Sequence, residues 1–357
     1  MGLLEKTVNK IDPADRSWRH RARERLNNLC MPHWALGCLM DLAVDLAGMT
    51  RSMQPPVAGK TIVTMAGDHG VVEEGVSLYP QEVTTQMVWN FVKGGAGINA
   101  LAGQAGAKVA VVDMGVAGDL GDLVDQGLIF GKKIAPGTSN MTEGPAMDRE
   151  QAVRALEAGI EVAEELGSDT DLFGTGDMGI GNTTPSAAIC AALTGAPVEE
   201  VTGRGTGLDD VRLACKIAVV KRSVKANRPD SDDGLDVLAK LGGFEIGGIA
   251  GLILGAASQR KPVLVDGFIS TAGAMIACTV APAAKDYIIA AHRSVEPGHR
   301  RMQEYLGISP LLDLGMRLGE GTGAALAMNI VDAAVRILVD VATFSEAEVS
   351  RGMKAGD

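Results

Sequence analysis

Asp171-Leu172-Phe173-Gly174-Thr175-Gly176-Asp177-Met178-Gly179-Ile180-Gly181-Asn182-Thr183-Thr184-Pro185 runs from an apolar start through four glycines into an Ala-rich segment at 186–193. It reads as a strand at 171–173, a glycine loop, and a helix. That succession is a physical recipe for holding a phosphate, because loop N–H groups and the positive end of the helix point at one place. No Gly-Lys-Ser follows, so the stretch is not a P-loop, and its spacing is not the GxGxxG of dinucleotide sites. A purely structural turn is the alternative.

The same grammar recurs on both sides. An apolar run at 60–66 enters Gly67-Asp68-His69-Gly70, and a second at 107–114 ends at Gly115. Residues 262–265 stop at Asp266-Gly267, and 287–291 stop at His292-Arg293-Ser294. At least five strand-then-helix units predict an α/β fold: a doubly wound, mainly parallel sheet with helices on both faces. Ligands bind such sheets at the C-terminal ends of the strands. Residues 1–50 read as helical, starting at Asp12-Pro13-Ala14-Asp15 and interrupted at Met31-Pro32-His33. The expected division is 1–55 and 301–357 as a small helical domain, with 56–300 as the large α/β domain.

Several side chains stand where a ligand would meet them. Gly319-Glu320-Gly321-Thr322-Gly323 sets one carboxylate among three glycines before the apolar run 324–339. Glu320 either acts on a bound molecule or merely complements the helix dipole. Asp68 and His69 either do acid–base or positioning work or brace their loop. Ser77, Leu78, Tyr79 and Gln86, beside Val83 and Met87, suit a flat heteroaromatic ligand or an ordinary helix start. Thr202-Gly203-Arg204-Gly205-Thr206-Gly207 is a second glycine loop, and the helix opened by Asp209 carries Lys216, a cation for a phosphate or for solvent.

The totals set bounds. With 357 residues, 46% of them hydrophobic and 22% charged, the chain has an ordinary globular balance. A net charge of −11 argues against a nucleic-acid binder. Glycine, at 46 residues, is nearly twice as frequent as usual, and aromatics are 3%, which suggests tight ligand-approaching loops. The five cysteines show no CxxC spacing and read as reduced thiols in the cytoplasm. The five histidines form no metal motif, the N-terminus has no apolar signal core, and no segment reads as a membrane span.

Eight motifs in order over about residues 60–350 resemble the nicotinate-nucleotide:dimethylbenzimidazole phosphoribosyltransferases of cobamide (vitamin B12) biosynthesis. They are AGDHGV (66–71), VSLYPQEVTTQM (76–87), GDMGIGNTT (176–184), TGRGTG (202–207), GGFEIGG (242–248), VDGFIS (265–270), HRSVEPGH (292–299) and GEGTGAA (319–325). The resemblance implies transfer of ribose phosphate from nicotinate mononucleotide to a benzimidazole-like or phenolic base, by a homodimer without metal or organic cofactor. It implies Glu320 as catalytic base with Asp177 assisting. It also implies substrate contacts from Asp68, His69, Ser77, Leu78, Tyr79, Gln86, Gly176, Met178, Gly179, Gly181, Asn182, Thr183, Thr184, Arg204, Gly205, Lys216, Asp266, Ser294 and Leu318. Two stretches depart from the family pattern. Asp177 stands where the family carries Glu, and Pro32-His33-Trp34-Ala35-Leu36-Gly37-Cys38-Leu39-Met40 lacks the usual Gly, Ser and Glu of its turn. The accepted base is therefore open among dimethylbenzimidazole, other benzimidazoles, adenine and phenols. A nucleotide N-glycosidase and an inactive nucleotide-binding partner subunit are the competing readings.

Overall fold

The computed structural model describes residues 2–350. Three helices come first: α1 (Leu3–Val8), α2 (Arg16–Leu26) and α3 (Cys38–Thr50). Strand β1 (Lys60–Gly67) precedes α4 (Glu82–Val92) and α5 (Gly97–Ala105), and β2 (Lys108–Gly115) precedes the short α6 (Gly121–Asp125). Strand β3 (Phe130–Gly131) leads to α7 (Arg149–Leu166). Strand β4 (Leu172–Met178) is followed by α8 (Thr183–Thr194), α9 (Val198–Val201), α10 (Asp210–Asn227), α11 (Gly234–Leu241) and α12 (Phe244–Ser258). Then come β5 (Val263–Val265), α13 (Phe268–Val280), β6 (Ile288–Ala290), α14 (Pro297–Leu306) and α15 (Thr322–Asp340).

Every strand pairing is parallel, in the order β3-β2-β1-β4-β5-β6. The winding reverses between β1 and β4, which opens a crevice at the strands' C-terminal ends. Ile62 and Met65, three apart on β1, point to opposite faces. Ile62 meets Gly321 and the start of α15, and Met65 meets Gly248 of α12, so the sheet lies between two helical layers as expected.

Much of the glycine excess serves helix packing rather than ligand loops. A Cβ on Gly251 of α12 would stand 1.9 Å from the Leu156 carbonyl oxygen, and one on Gly159 of α7 would stand 2.0 Å from that of Gly248. Two backbones at that distance leave room only for glycine. An alanine there would overpack at a cost of about 1–3 kcal/mol.

Caps explain several helix starts. Asp148 and Gln151 form the reciprocal box that their spacing predicts, with bonds of 2.7 and 3.0 Å. Proline does not open α2. Asp15 caps it, accepting from Ser17 N at 2.9 Å, and Pro13 lies outside.

Helices α2 and α3 pack on each other and on α15, while α1 rests on α7 and α12. Cys30 N donates to Ala342 O at 2.9 Å and Arg25 Nε to Leu338 O at 2.8 Å, so both ends of the chain meet. Among the described residues α15 alone has the length and composition of a membrane span, and 56% of that stretch is buried inside the protein.

Candidate active site

The strand ends build one large cavity of about 540 Å³. Its floor is the turn after β4, its walls are the starts of α13 and α14 and the segment after β6, and its lid is the strap that reaches Glu320. That volume suits a nucleotide-sized ligand.

Residues 319–321 are all left-handed, with φ of 81°, 63° and 98°. Glycine adopts this freely, but for Glu320 it costs about 1 kcal/mol. The contacts that hold it are specific. Glu320 N donates to Asp177 O at 3.2 Å, and Thr64 Oγ1 donates to Glu320 O at 2.9 Å. Asp266 accepts from Gly321 N at 3.3 Å and Ala324 N at 3.0 Å, so a carboxylate from the β5 loop caps α15. The Glu320 carboxylate lines the cavity and accepts from Ile98 N, at the start of α5, at 3.0 Å. Burial raises its pKa, the Ile98 bond opposes this, and the Asp266 charge adds to the rise.

Asp177 sits on the cavity floor, where Asn182 Nδ2 donates to its Oδ2 at 3.0 Å. Its Oδ1 has no partner among the described residues. Burial, then the charges of Asp266 and Glu245, push its pKa well above the usual carboxylate range. The two cavity carboxyls therefore differ: burial and acidic neighbours favour the neutral acid more strongly at Asp177 than at Glu320.

Strand β4 continues to Met178, so the predicted glycine loop is partly strand. The reason is packing. A Cβ on Gly174 would meet Ile62 at 2.3 Å, and one on Gly176 would meet the Glu320 carbonyl oxygen at 2.3 Å. These glycines let α15 and its strap lie on the sheet. Met178, Gly179, Gly181, Asn182 and Thr183 do line the cavity, with Gly181 at φ 91°. Thr184 is buried behind them, inside α8.

On the opposite wall, Ser77, Tyr79, Gly205, Ser294 and Leu318 line the cavity. Leu78 is 43% exposed and lies outside it, its N donating to Thr206 Oγ1 at 3.3 Å. Gln86 is exposed, because Val83 and Met87, four apart, take the cavity face of α4. Arg204 pairs with Asp210 at 2.5 Å and borders an adjoining hollow of about 370 Å³.

Lys216 is fully buried beneath this wall, donating to Thr183 Oγ1 at 2.6 Å. Burial lowers its pKa to about 8 against the pull of Glu296. Glu296 accepts from Gly205 N at 3.0 Å. An ammonium, a loop N–H, Thr183 and Ser294 thus converge where an anion would be welcome, and the Glu296 carboxylate stands there.

Asp68 and His69 are buried outside the cavity wall. Asp68 accepts from Ala117 N at 2.8 Å and ties the β1 and β2 loops together. Burial raises its pKa. His69 Nε2 lies 2.8 Å from Glu245 Oε1. Burial disfavours the imidazolium, but Glu245 outweighs it and the pKa is raised, so the pair behind Gly179 favours the protonated ring. Asp266 is also fully buried, and His292 stands between it and the cavity.

The sequence reading did not single out Glu245, Glu296, Arg317 or the start of α13 at Gly267–Ile269, and named His292 only by its place after a strand. Glu245, Glu296 and His292 lie inside the matched motifs, but no spacing pairs residue 69 with 245 or 205 with 296. Arg317 lies in the strap just before Glu320 and borders both hollows.

A family model described as phosphoribosyltransferase matches residues 11–349. The chain is 62% identical over 352 residues to the nicotinate-nucleotide–dimethylbenzimidazole phosphoribosyltransferase of Syntrophotalea carbinolica, covering 99% of this chain and 100% of the relative. It is 60% identical to the same-named protein of Desulfotalea psychrophila, covering 98% and 99%. The crystal structure of CobT from Thermus thermophilus is similar at TM-score 0.90 and 47% identity, covering 94% of this chain and 100% of that one.

Proposed function

The chain belongs to the nicotinate-nucleotide–dimethylbenzimidazole phosphoribosyltransferase family, and from that premise we propose how its cavity does the work. It is a pentosyltransferase of cobamide lower-ligand synthesis. It moves the ribose phosphate of nicotinate mononucleotide to 5,6-dimethylbenzimidazole or a related azole or phenol.

The observation that carries the mechanism is the conformation of Glu320, which fixes one carboxylate at the cavity wall despite its strain. A ring nitrogen of the base attacks C1′ from the face opposite nicotinate. The C1′–N bond to nicotinate breaks, and its electron pair neutralises the pyridinium nitrogen. The leaving group therefore needs no proton. The N–H proton of the incoming azole goes to Glu320, and inversion at C1′ gives the α-riboside 5′-phosphate.

The phosphate takes the anion-facing group of Lys216, the Gly205 N–H, Thr183 and Ser294, and displaces Glu296 from the Gly205 donor. Asp177, as a neutral acid, offers a hydrogen bond to the bound rings. Ser77 and Tyr79 border the base. Asp68 and His69 brace the loops, and α2, α3 and α15 form the small helical unit. We also assign a cytoplasmic homodimer, for which light scattering should give about twice the 37.0 kDa chain mass. A single-chain mass would exclude it.

The test is incubation with nicotinate mononucleotide and dimethylbenzimidazole, benzimidazole, adenine, phenol or p-cresol, followed by mass spectrometry. A base-dependent riboside phosphate is the expected outcome, and the fastest base defines the pocket. Nicotinate released without any base would mean hydrolysis and overturn the transferase reading.

A further inference from the structure

One buried ring in the cavity wall has a nitrogen with nothing to bond. His292 follows β6, is 2% exposed and lines the cavity. Its Nε2 lies 3.7 Å from Asp266 Oδ1, and its Nδ1 has no partner among the described residues. Folded proteins keep few such atoms, and a bound ligand commonly accounts for them.

The ring is fixed by shape as well as charge. A Cβ on Gly323 would stand 2.0 Å from its Cδ2, and one on Gly267 would stand 3.2 Å from its Nε2. The Cδ2–Nε2 edge is thus pressed against the start of α15 and the β5 turn. The opposite edge carries Nδ1. A carboxylate beside Nε2 favours the proton on that nitrogen, which leaves Nδ1 as a lone pair.

That lone pair selects its ligand. An anion approaching it would meet a lone pair with no proton to offer, so phosphate and the nicotinate carboxylate fit poorly. A neutral O–H donor fits. Ser294, two residues on, belongs to the anion-facing wall, and Gly323, against the ring, lies three residues past Glu320. The sugar of a phosphate-bearing nucleoside spans that gap.

We propose that His292 accepts a hydrogen bond from a ribose hydroxyl of the nucleotide, with Asp266 as the positioning residue that orients the ring. The proposal rests on the transferase reading above and names the subsite for the sugar.

The test is a cycle between side chain and substrate. Wild type and His292→Ala are assayed with nicotinate mononucleotide and its 2′-deoxy and 3′-deoxy analogues. Wild type should lose about ten- to a hundredfold in kcat/KM on one analogue. His292→Ala should lose a similar factor on the natural nucleotide and nothing further on that analogue. An equal loss on all three substrates would overturn the proposal.

His292→Gln keeps an acceptor and most of the volume. It should retain part of the discrimination, and uniform loss across the three would count against the idea. Asp266→Asn should shrink the discrimination, a ratio that a smaller active fraction leaves unchanged. If wild type forms no base-dependent product, the transferase reading fails by itself. Calorimetric binding of the same three nucleotides to wild type and His292→Ala then reads the same cycle, and equal wild-type affinities would overturn the sugar subsite.

Discussion

Glu320→Gln separates proton acceptance from everything else the residue does. The glutamine carbonyl can still accept from Ile98 N, now at 3.0 Å from the carboxylate, and the backbone contacts to Asp177 and Thr64 are untouched. The strained φ of 63° is unchanged, so the fold should persist. A positioned general base contributes about 10²–10⁴ in rate. Asp177 is a poor substitute, since burial and its acidic neighbours disfavour the charged form of its carboxyl. The loss in kcat should therefore lie near the middle of that range or above, about 10³-fold. Stability should move the other way. Burial raises the folded-state pKa of Glu320 above 4.5, so the native protein binds this proton more tightly than the unfolded chain. The stability linked to this group is complete below the unfolded value and is lost as pH rises through the folded one. Glutamine has no such loss, so the Tm of the variant relative to wild type should climb from pH 4.5 to neutrality. Chromatography of released nicotinate at saturating substrates measures the first effect, and thermal unfolding across pH the second. A kcat within about threefold of wild type would refute the general-base argument.

Asp177→Asn should keep kcat within about threefold at neutral pH, because burial and acidic neighbours favour the neutral carboxyl and asparagine is an equally neutral donor. A fall beyond about a hundredfold in the same nicotinate assay would show that Asp177 works as an anion. Gly176→Ala places a Cβ where the Glu320 carbonyl oxygen now lies, 2.3 Å away. It should displace the base by a fraction of an ångström or more, costing about 10²-fold in kcat and about 1–3 kcal/mol in stability. Denaturant melts and turnover together test this, and a variant matching wild type in both would show that the strap has slack.

The sheet was readable because apolar runs bounded by glycine recur between helical periods, and β1, β2, β5 and β6 lie within a residue or two of their expected positions. Strand β4 was read too short. Gly174-Thr175-Gly176-Asp177 looks like a loop by composition, yet in a central parallel strand glycine can mark the approach of another backbone. The surplus of glycine was assigned to loops for the same reason, although Gly159, Gly248 and Gly251 bring α7 and α12 together. Much of the site was visible as loops after strands. What stayed hidden was how buried polar groups pair across the chain. His69 with Glu245, Gly205 with Glu296 and His292 with Asp266 depend on which strand ends become neighbours, and no local pattern encodes that.

The packing of α3 against α15 bears on the order in which the protein is made. Met40, Leu42, Val44, Leu46 and Met49 of α3 are buried in the finished protein, and α15 supplies part of their cover. Helix α3 ends at Thr50, but α15 is complete only at Asp340. At about 5–20 residues per second, the ribosome takes roughly a quarter of a minute to a minute to cross that interval. Throughout it the sheet can grow strand by strand, while α2 and α3, made early, can be fully seated only last. Their apolar faces must meanwhile lean on each other, on provisional contacts with the growing sheet, or on a chaperone.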